Sequence, residues 1–277
     1  MTTWVGGVLS WAAVAFVLPT LLTTGCKPSR ANVTVRDSAP AGWQPDGPTG
    51  TLEGTVTLTE PLPMPSPIAL DAATRGRRGC EAAAGGYYAS PFGVTAPGPL
   101  PEALVVVEAR TQNPPPPRTL TVTFRDCSIA PRFAVMNLGD RLVLHAETDE
   151  YHLPKVEGLG ATIAQLLQRT EDQVKNVQRP GRYIIHSVNY PNWMQTPLVV
   201  LVNPYYAQAD PRGRFRVERV PVGTHTVHAW FPGARSVDAT VTIRPGQVTR
   251  QDFAVTPSPP APDAGTQAPT DAGPVIP

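Results

Sequence analysis

The residues of this chain able to do chemistry are few: five His, three Cys and four Met in 277 residues. The densest group runs Pro180-Gly181-Arg182-Tyr183-Ile184-Ile185-His186-Ser187-Val188-Asn189 and continues to Met194. It offers an imidazole, an amide and a thioether in one short segment, and imidazole with thioether suits copper better than a hard cation. The other histidines are weaker candidates. His145 lies one residue past the alternating Leu142 and Leu144, so it faces away from their core. His225 and His228 lie three apart on one expected strand and point to opposite faces, so they make no metal clamp. There is no nucleophile elbow, phosphate loop or zinc-protease helix, so no enzyme is expected. The cluster Glu147, Asp149 and Glu150 reads as a solvated turn rather than as paired catalytic carboxylates.

The Pro180 to Met194 segment resembles the metal-ligand loop of the cupredoxins, with His186 at the position of the family's Cys, Asn189 at that of its His and Met194 at that of its Met. Upstream, the strand Arg141 to His145 leads through Ala146-Glu147-Thr148-Asp149-Glu150-Tyr151 to His152, which matches the first ligand. The resemblance implies a copper site built from His152, His186 and Met194, with Asn189 as an oxygen donor. A soft thiolate gives blue copper its electronic character, so a site without one is expected to hold copper, more readily cuprous, without blue-copper electron transfer. The resemblance also implies that His186→Cys with Asn189→His would recreate a blue-copper-like band. The competing reading is metal-free: His186 and Asn189 hydrogen-bond each other and Met194 packs as a flexible hydrophobe.

The elements that must position these residues are strands. With 34 Pro and 23 Gly the chain has little room for long helices. From Thr51 to Thr59 apolar Leu52, Val56 and Leu58 alternate with polar Glu53, Thr55 and Thr57, the period of a half-buried strand. Further strands are expected at Leu104 to Ala109, Leu120 to Phe124, Phe133 to Met136, Leu142 to His145, Tyr183 to Val188 and Leu198 to Val202. Many short strands separated by turns indicate an all-β sandwich or barrel. Between the His145 and Tyr183 strands, Leu159, Ile163, Leu166, Leu167, Val174 and Val177 recur at spacings that predict a helix, in the place where cupredoxins carry an excursion.

After Asn203 the text changes. Asp210-Pro211-Arg212-Gly213-Arg214-Phe215, then Val220-Pro221-Val222-Gly223-Thr224, resemble the carboxypeptidase regulatory-like module, a small transthyretin-like β-sandwich. Its opening strand is matched by Gly50-Thr51-Leu52-Glu53-Gly54-Thr55-Val56. Because the two matching pieces are far apart, the cupredoxin-like segment is expected to be inserted into this module or to share strands with it. The expected fold is therefore a cupredoxin-like Greek-key sandwich merged with a small carboxypeptidase regulatory-like sandwich. The divisions are opening strands over 50–110, a cupredoxin-like region over 111–203 and the regulatory-like region over 204–255.

At the N-terminus, an uncharged run from Trp4 ends in Leu22-Thr23-Thr24-Gly25-Cys26, which resembles a bacterial lipoprotein signal over 1–25 with Cys26 as the lipidated residue. The alternative is an uncleaved anchor, since the run is about long enough to span a bilayer. Residues 26–49 then read as a tether and 256–277 as a Pro- and Ala-rich disordered tail. With Cys26 lipidated, Cys80 and Cys127 are left to pair in an oxidising compartment. The expected location is the bacterial cell envelope, lipid-anchored, on the periplasmic side or the cell surface. A formal charge of +1 gives no footprint for nucleic acid. Partners are expected to be the membrane, through the lipid anchor, and a redox, protein or glycan partner in the envelope. Trp43, Trp193, Trp230, Tyr205 and Tyr206 would supply a sugar-stacking surface only if exposed, and buried aromatics of a sandwich explain them more simply. The two functions in contention are redox-silent copper binding and a metal-free module for a glycan or protein.

Overall fold

The computed structural model describes residues 1–3, 42–62, 67–69, 74, 80, 87–88, 92, 96–159, 165–169, 171–189 and 193–258. The chain divides into Met1–Asn32 and Val33–Pro277, and every described strand belongs to the second unit. Cys26 and the signal-like run lie outside the described residues, as does the tail beyond Ser258. Among the described residues no helix is long and apolar enough to cross a membrane.

In chain order the strands are β1 (Thr49–Leu58), β2 (Pro67–Ile68), β3 (Tyr87–Tyr88), β4 (Gly98–Pro99), β5 (Leu104–Val107), β6 (Thr119–Arg125), β7 (Ser128–Ala130), β8 (Ala134–Asn137), β9 (Arg141–Ala146), β10 (Pro154–Glu157), β11 (Asp172–Lys175), β12 (Gly181–Ser187), β13 (Gln195–Leu201), β14 (Tyr206–Gln208), β15 (Arg214–Pro221), β16 (Gly223–Trp230), β17 (Val237–Ile243), β18 (Val248–Arg250) and β19 (Phe253–Val255). They form four main sheets. In the first, β1 pairs with β15, β18, β19 and β4; the second runs β14-β5-β16-β17, the third β10-β12-β13-β8 and the fourth β11-β9-β6-β7. The first two sheets enclose one core, with Leu52, Val56 and Phe215 facing Val105, Val227 and Ile243. The chain leaves this sandwich after β5, builds the third and fourth sheets, and re-enters it at β14.

At β13 and β8 the third sheet is buried on both faces. Leu198 and Val200 of β13 enter the core shared with the fourth sheet, whereas Val199 and Leu201 enter the core of the first sandwich. Neighbouring β8 does the same, with Ala134 and Met136 on one side and Val135 on the other. Alternate side chains point to opposite faces, so a continuous apolar run such as Leu198 to Leu201 is what a doubly covered strand requires. The Arg182 guanidinium lies 4.3 Å above the Trp230 ring and Phe133 packs edge-on to the same Trp at 5.6 Å, which ties the two sandwiches together.

Two glycines of the opening strand are explained by backbone crowding. A Cβ on Gly54 would stand 1.8 Å from the carbonyl oxygen of Gln251, and one on Gly50 would stand 2.5 Å from that of Arg244. Only a residue without a side chain lets the returning C-terminal segment lie so close.

Two expectations are corrected. The helix expected over Leu159 to Val177 is absent among the described residues: Leu167 bridges His152, Arg169 bridges Ala146, and β11 pairs antiparallel with β9. Leu167 is buried between exposed neighbours on both sides, Gln165 and Leu166 before it and Gln168 and Arg169 after it. The edge of β9 has backbone donors and acceptors that need partners, and the segment supplies them. The tether expected over 26–49 ends sooner, because Trp43 is buried, packs on Tyr205 and donates its Nε1–H to Asn113 O at 2.9 Å.

Candidate functional site

The structure brings the His152 loop and the Pro180 to Met194 loop together at one end of the third sheet. Pro154 stands opposite Ser187 where β10 meets β12. Val188 N donates to Leu153 O at 2.8 Å and Ser187 N to Met194 O at 3.2 Å. The Asn189 amide donates to Tyr151 O at 2.9 Å. His152 is itself anchored by two backbone hydrogen bonds with Leu167.

The side chains do not all converge. His152 has the same strand parity as buried Pro154 and Val156, is completely buried, and its ring lies 5.3 Å from that of Phe124 of the inner core, tilted by 39°. Met194 is also fully buried in that core. On β12, Tyr183 and Ile185 enter the same core, so Ser187 faces inward with them and His186 faces the other way. His186 stands in register with Lys155 and Gln195, and its Nε2 lies 3.2 Å from Glu157 Oε1, an ion-pair contact off hydrogen-bond geometry. His152 and His186 therefore sit on opposite faces of one sheet. Asn189 is exposed and spends its amide on the Tyr151 carbonyl, not on His186.

Burial lowers the pKa of His152, against the pull of Glu150 and Asp126. Burial also lowers that of His186, with Glu157 acting to raise it and Lys155 to lower it. Both imidazoles are thereby held neutral near pH 7. The inward donors are one imidazole, one thioether and the Ser187 hydroxyl, which is buried without a hydrogen-bond partner among the described residues. This set does not fit the four-donor copper site that the sequence resemblance implies, since one of its two imidazoles is turned away. Among the described residues no group of three or more His, Cys, Asp and Glu is arranged to hold a metal. Ser187 and Glu157 were not singled out in the sequence, yet counting in twos from Tyr183 identifies Ser187 as the inward residue.

The remaining candidates have structural partners. His145 Nδ1 meets Asp172 at 2.8 Å on the half-exposed face. His225 bonds the carbonyl oxygens of Pro221 and Glu108. His228 is clamped between Glu108 at 2.8 Å and Asp238 at 2.7 Å; burial opposes its charged form, but these two carboxylates outweigh burial and raise its pKa. Tyr205 and Tyr206 are buried like Trp43, and Trp193 and Trp230 are partly buried, so these rings form no sugar platform. Cys80 and Cys127 are joined by a disulfide.

Residues 198–256 match the carboxypeptidase regulatory-like domain family. That span holds β14 to β19, and β1, with its Gly50 to Val56 text, pairs into it through β15, β18 and β19. No curated protein matches the chain. Similar solved structures include a reduced amicyanin variant, 15% identical over 30% of this chain and 81% of that one, with a TM-score of 0.28. A copper-containing nitrite reductase from Thermus scotoductus SA-01 is 18% identical over 49% of this chain and 27% of that one, with a TM-score of 0.25. A minor pilin of Streptococcus agalactiae is 9% identical over 79% of this chain and all of the other (100%), with a TM-score of 0.18. No chemistry passes from these structures to this chain. The all-β architecture of two merged sandwiches, with residues 198–256 matching the carboxypeptidase regulatory-like domain, stands on the strand pairing and the family match.

Proposed function

We propose that this protein is a non-enzymatic binding module of the bacterial envelope, lipid-anchored through Cys26, whose cupredoxin-like end is closed by packing and hydrogen bonds in place of a metal. The observation that carries this reading is the placement of His152 and His186 on opposite faces of the third sheet. The Asn189 amide then does what a shared metal would otherwise do, tying one ligand-like loop to the other. The burial of Trp43, Tyr205 and Tyr206 favours a protein partner over a glycan.

Copper titration of the full chain, followed by dialysis and metal analysis, tests the metal-free part. The expected result is well below one retained equivalent, with His152→Ala, His186→Ala and His225→Ala indistinguishable. One tightly held equivalent that is lost in both His152→Ala and His186→Ala would refute it. The anchor is tested separately by mass analysis of the mature N-terminus. An acylated Cys26 is expected, and recovery of a membrane-bound chain with Met1 intact would show an uncleaved anchor instead.

A further inference from the structure

The second sheet ends at β17. This strand pairs with β16 along its whole length, from Ala229↔Val237 to Gly223↔Ile243, and among the described residues no backbone group pairs with its other side. The Thr249 hydroxyl reaches Thr242 O at 3.1 Å, a contact of one side chain and not of a strand. Val241 and Ile243 are buried in the core of the first sandwich, while Asp238, Thr240 and Thr242 are exposed on the outer face. Val237 and Ala239 pack against the same core yet stay half-buried, at its open rim.

An edge strand with unpaired N–H and C=O groups is a template for another strand, and proteins blunt such edges with charges, proline, bulges or shortness. The other edges of the main sheets are blunted. β15 carries Arg214, Arg216, Glu218 and Arg219, and its pairing with β1 is interrupted by a register shift at which Arg219 takes a φ of 56°. β10 opens with Pro154, and β7, β8, β11, β14, β18 and β19 span three or four residues each. β17 has seven residues, no proline and one charge, Asp238.

The strand is complementary to itself. Laid antiparallel about a two-fold axis at Val241, it sets Asp238 opposite the partner's Arg244 and Thr240 opposite the partner's Thr242, and symmetry repeats both pairs. On the core face Ala239 meets the partner's Ile243. Opposite charges and paired threonines are among the cross-strand combinations that stabilise a sheet, and covering Val237 and Ala239 removes apolar rim from water. Both contacts of Asp238 within the fold, to His228 and Ser236, use Oδ1, so Oδ2 is offered to the partner's guanidinium. Arg244 is exposed and makes no ion pair among the described residues. An axis at Ala239 or Thr240 would set Asp238 opposite threonine and lose the charge pair. We infer that β17 is the interface of a homodimer in which the second sheets of two copies join edge to edge.

Sedimentation of the full chain in detergent should show a dimer that dissociates on dilution. Arg244→Glu sets like charges opposite each other at both ends of the pairing, and it should raise the dimer dissociation constant by about tenfold or more. Adding Asp238→Lys to that variant should restore the dimer, because the charge pair is re-formed with its signs exchanged. Arg212→Glu, exposed on the turn before β15, should leave association unchanged. A monomer at every concentration, a dimer indifferent to Arg244→Glu, or a folded double variant that stays weak would overturn the inference. Should the variants fail to fold, amide exchange in the unaltered chain decides: β17 amides must gain protection as the dimer forms and β15 amides must not, and the reverse pattern refutes the site.

Discussion

Placing a thiol at position 186 and at position 187 should have opposite outcomes. A metal–thiolate bond is about 2.3 Å long, whereas neighbouring layers of a β-stack are about 10 Å apart. A side chain on the outer face of β12 cannot reach a metal held by His152 on the inner face without unpairing β12 from β10 and β13. His186→Cys with Asn189→His, which the sequence resemblance suggests would restore a blue-copper band, is therefore expected to give no intense visible absorption with Cu(II). It would also cut the tie from Asn189 to Tyr151. Ser187→Cys instead places the sulfur on the inward face, opposite Pro154 and diagonal to His152, on the strand hydrogen-bonded to Met194. Copper-loaded Ser187→Cys should show the thiolate-to-copper band. Absorption spectra of both variants, with circular dichroism to establish folding, are sufficient. A band in the 186 variant and none in the 187 variant would show the assignment of faces to be inverted.

Gly54→Ala should lower stability by about 1–3 kcal/mol or more in urea unfolding, because the added methyl would meet the Gln251 carbonyl; an unchanged midpoint would mean that β1 and the returning segment are not so closely apposed. Cutting the Cys80–Cys127 link, which joins positions 47 apart in sequence, should cost about 4 kcal/mol by the chain-entropy model, and equal urea midpoints with and without reductant would refute it. His228 has a raised pKa in the fold, so its contribution is fully present below the ordinary value of 6.5 and is lost as pH rises through the folded value. Wild-type stability measured against His228→Gln should show a gap that closes on going alkaline, and a gap that widens would reverse the sign. His152 and His186 behave oppositely: their lowered values mean that stability falls as pH drops below 6.5, which acid titration of the unfolding midpoint checks.

Much of the fold was present in local pattern. The alternation from Thr51 to Thr59 reappears as the alternating burial of β1. The Gly50 to Val56 text marked an opening strand of the regulatory-like module, and that strand pairs with β15, β18 and β19; the oxidising compartment expected from the N-terminus pointed to Cys80 with Cys127, which are joined. A period of two is a property of a single segment and carries its own structural consequence. The helical spacing from Leu159 to Val177 misled because the open edge of β9 recruits that stretch as strand, a demand no local spacing reveals. The candidate site failed to assemble for a related reason. Alternation along β12 groups Ser187 with Tyr183 and Ile185 and sets His186 on the other face, but does not say which group shares a core with His152. That depended on how the third sheet is covered: the fourth sheet packs on the face of Tyr183 and Ile185, whereas the first sandwich covers the other face only at β8 and β13, leaving His186 beside Lys155 and Glu157.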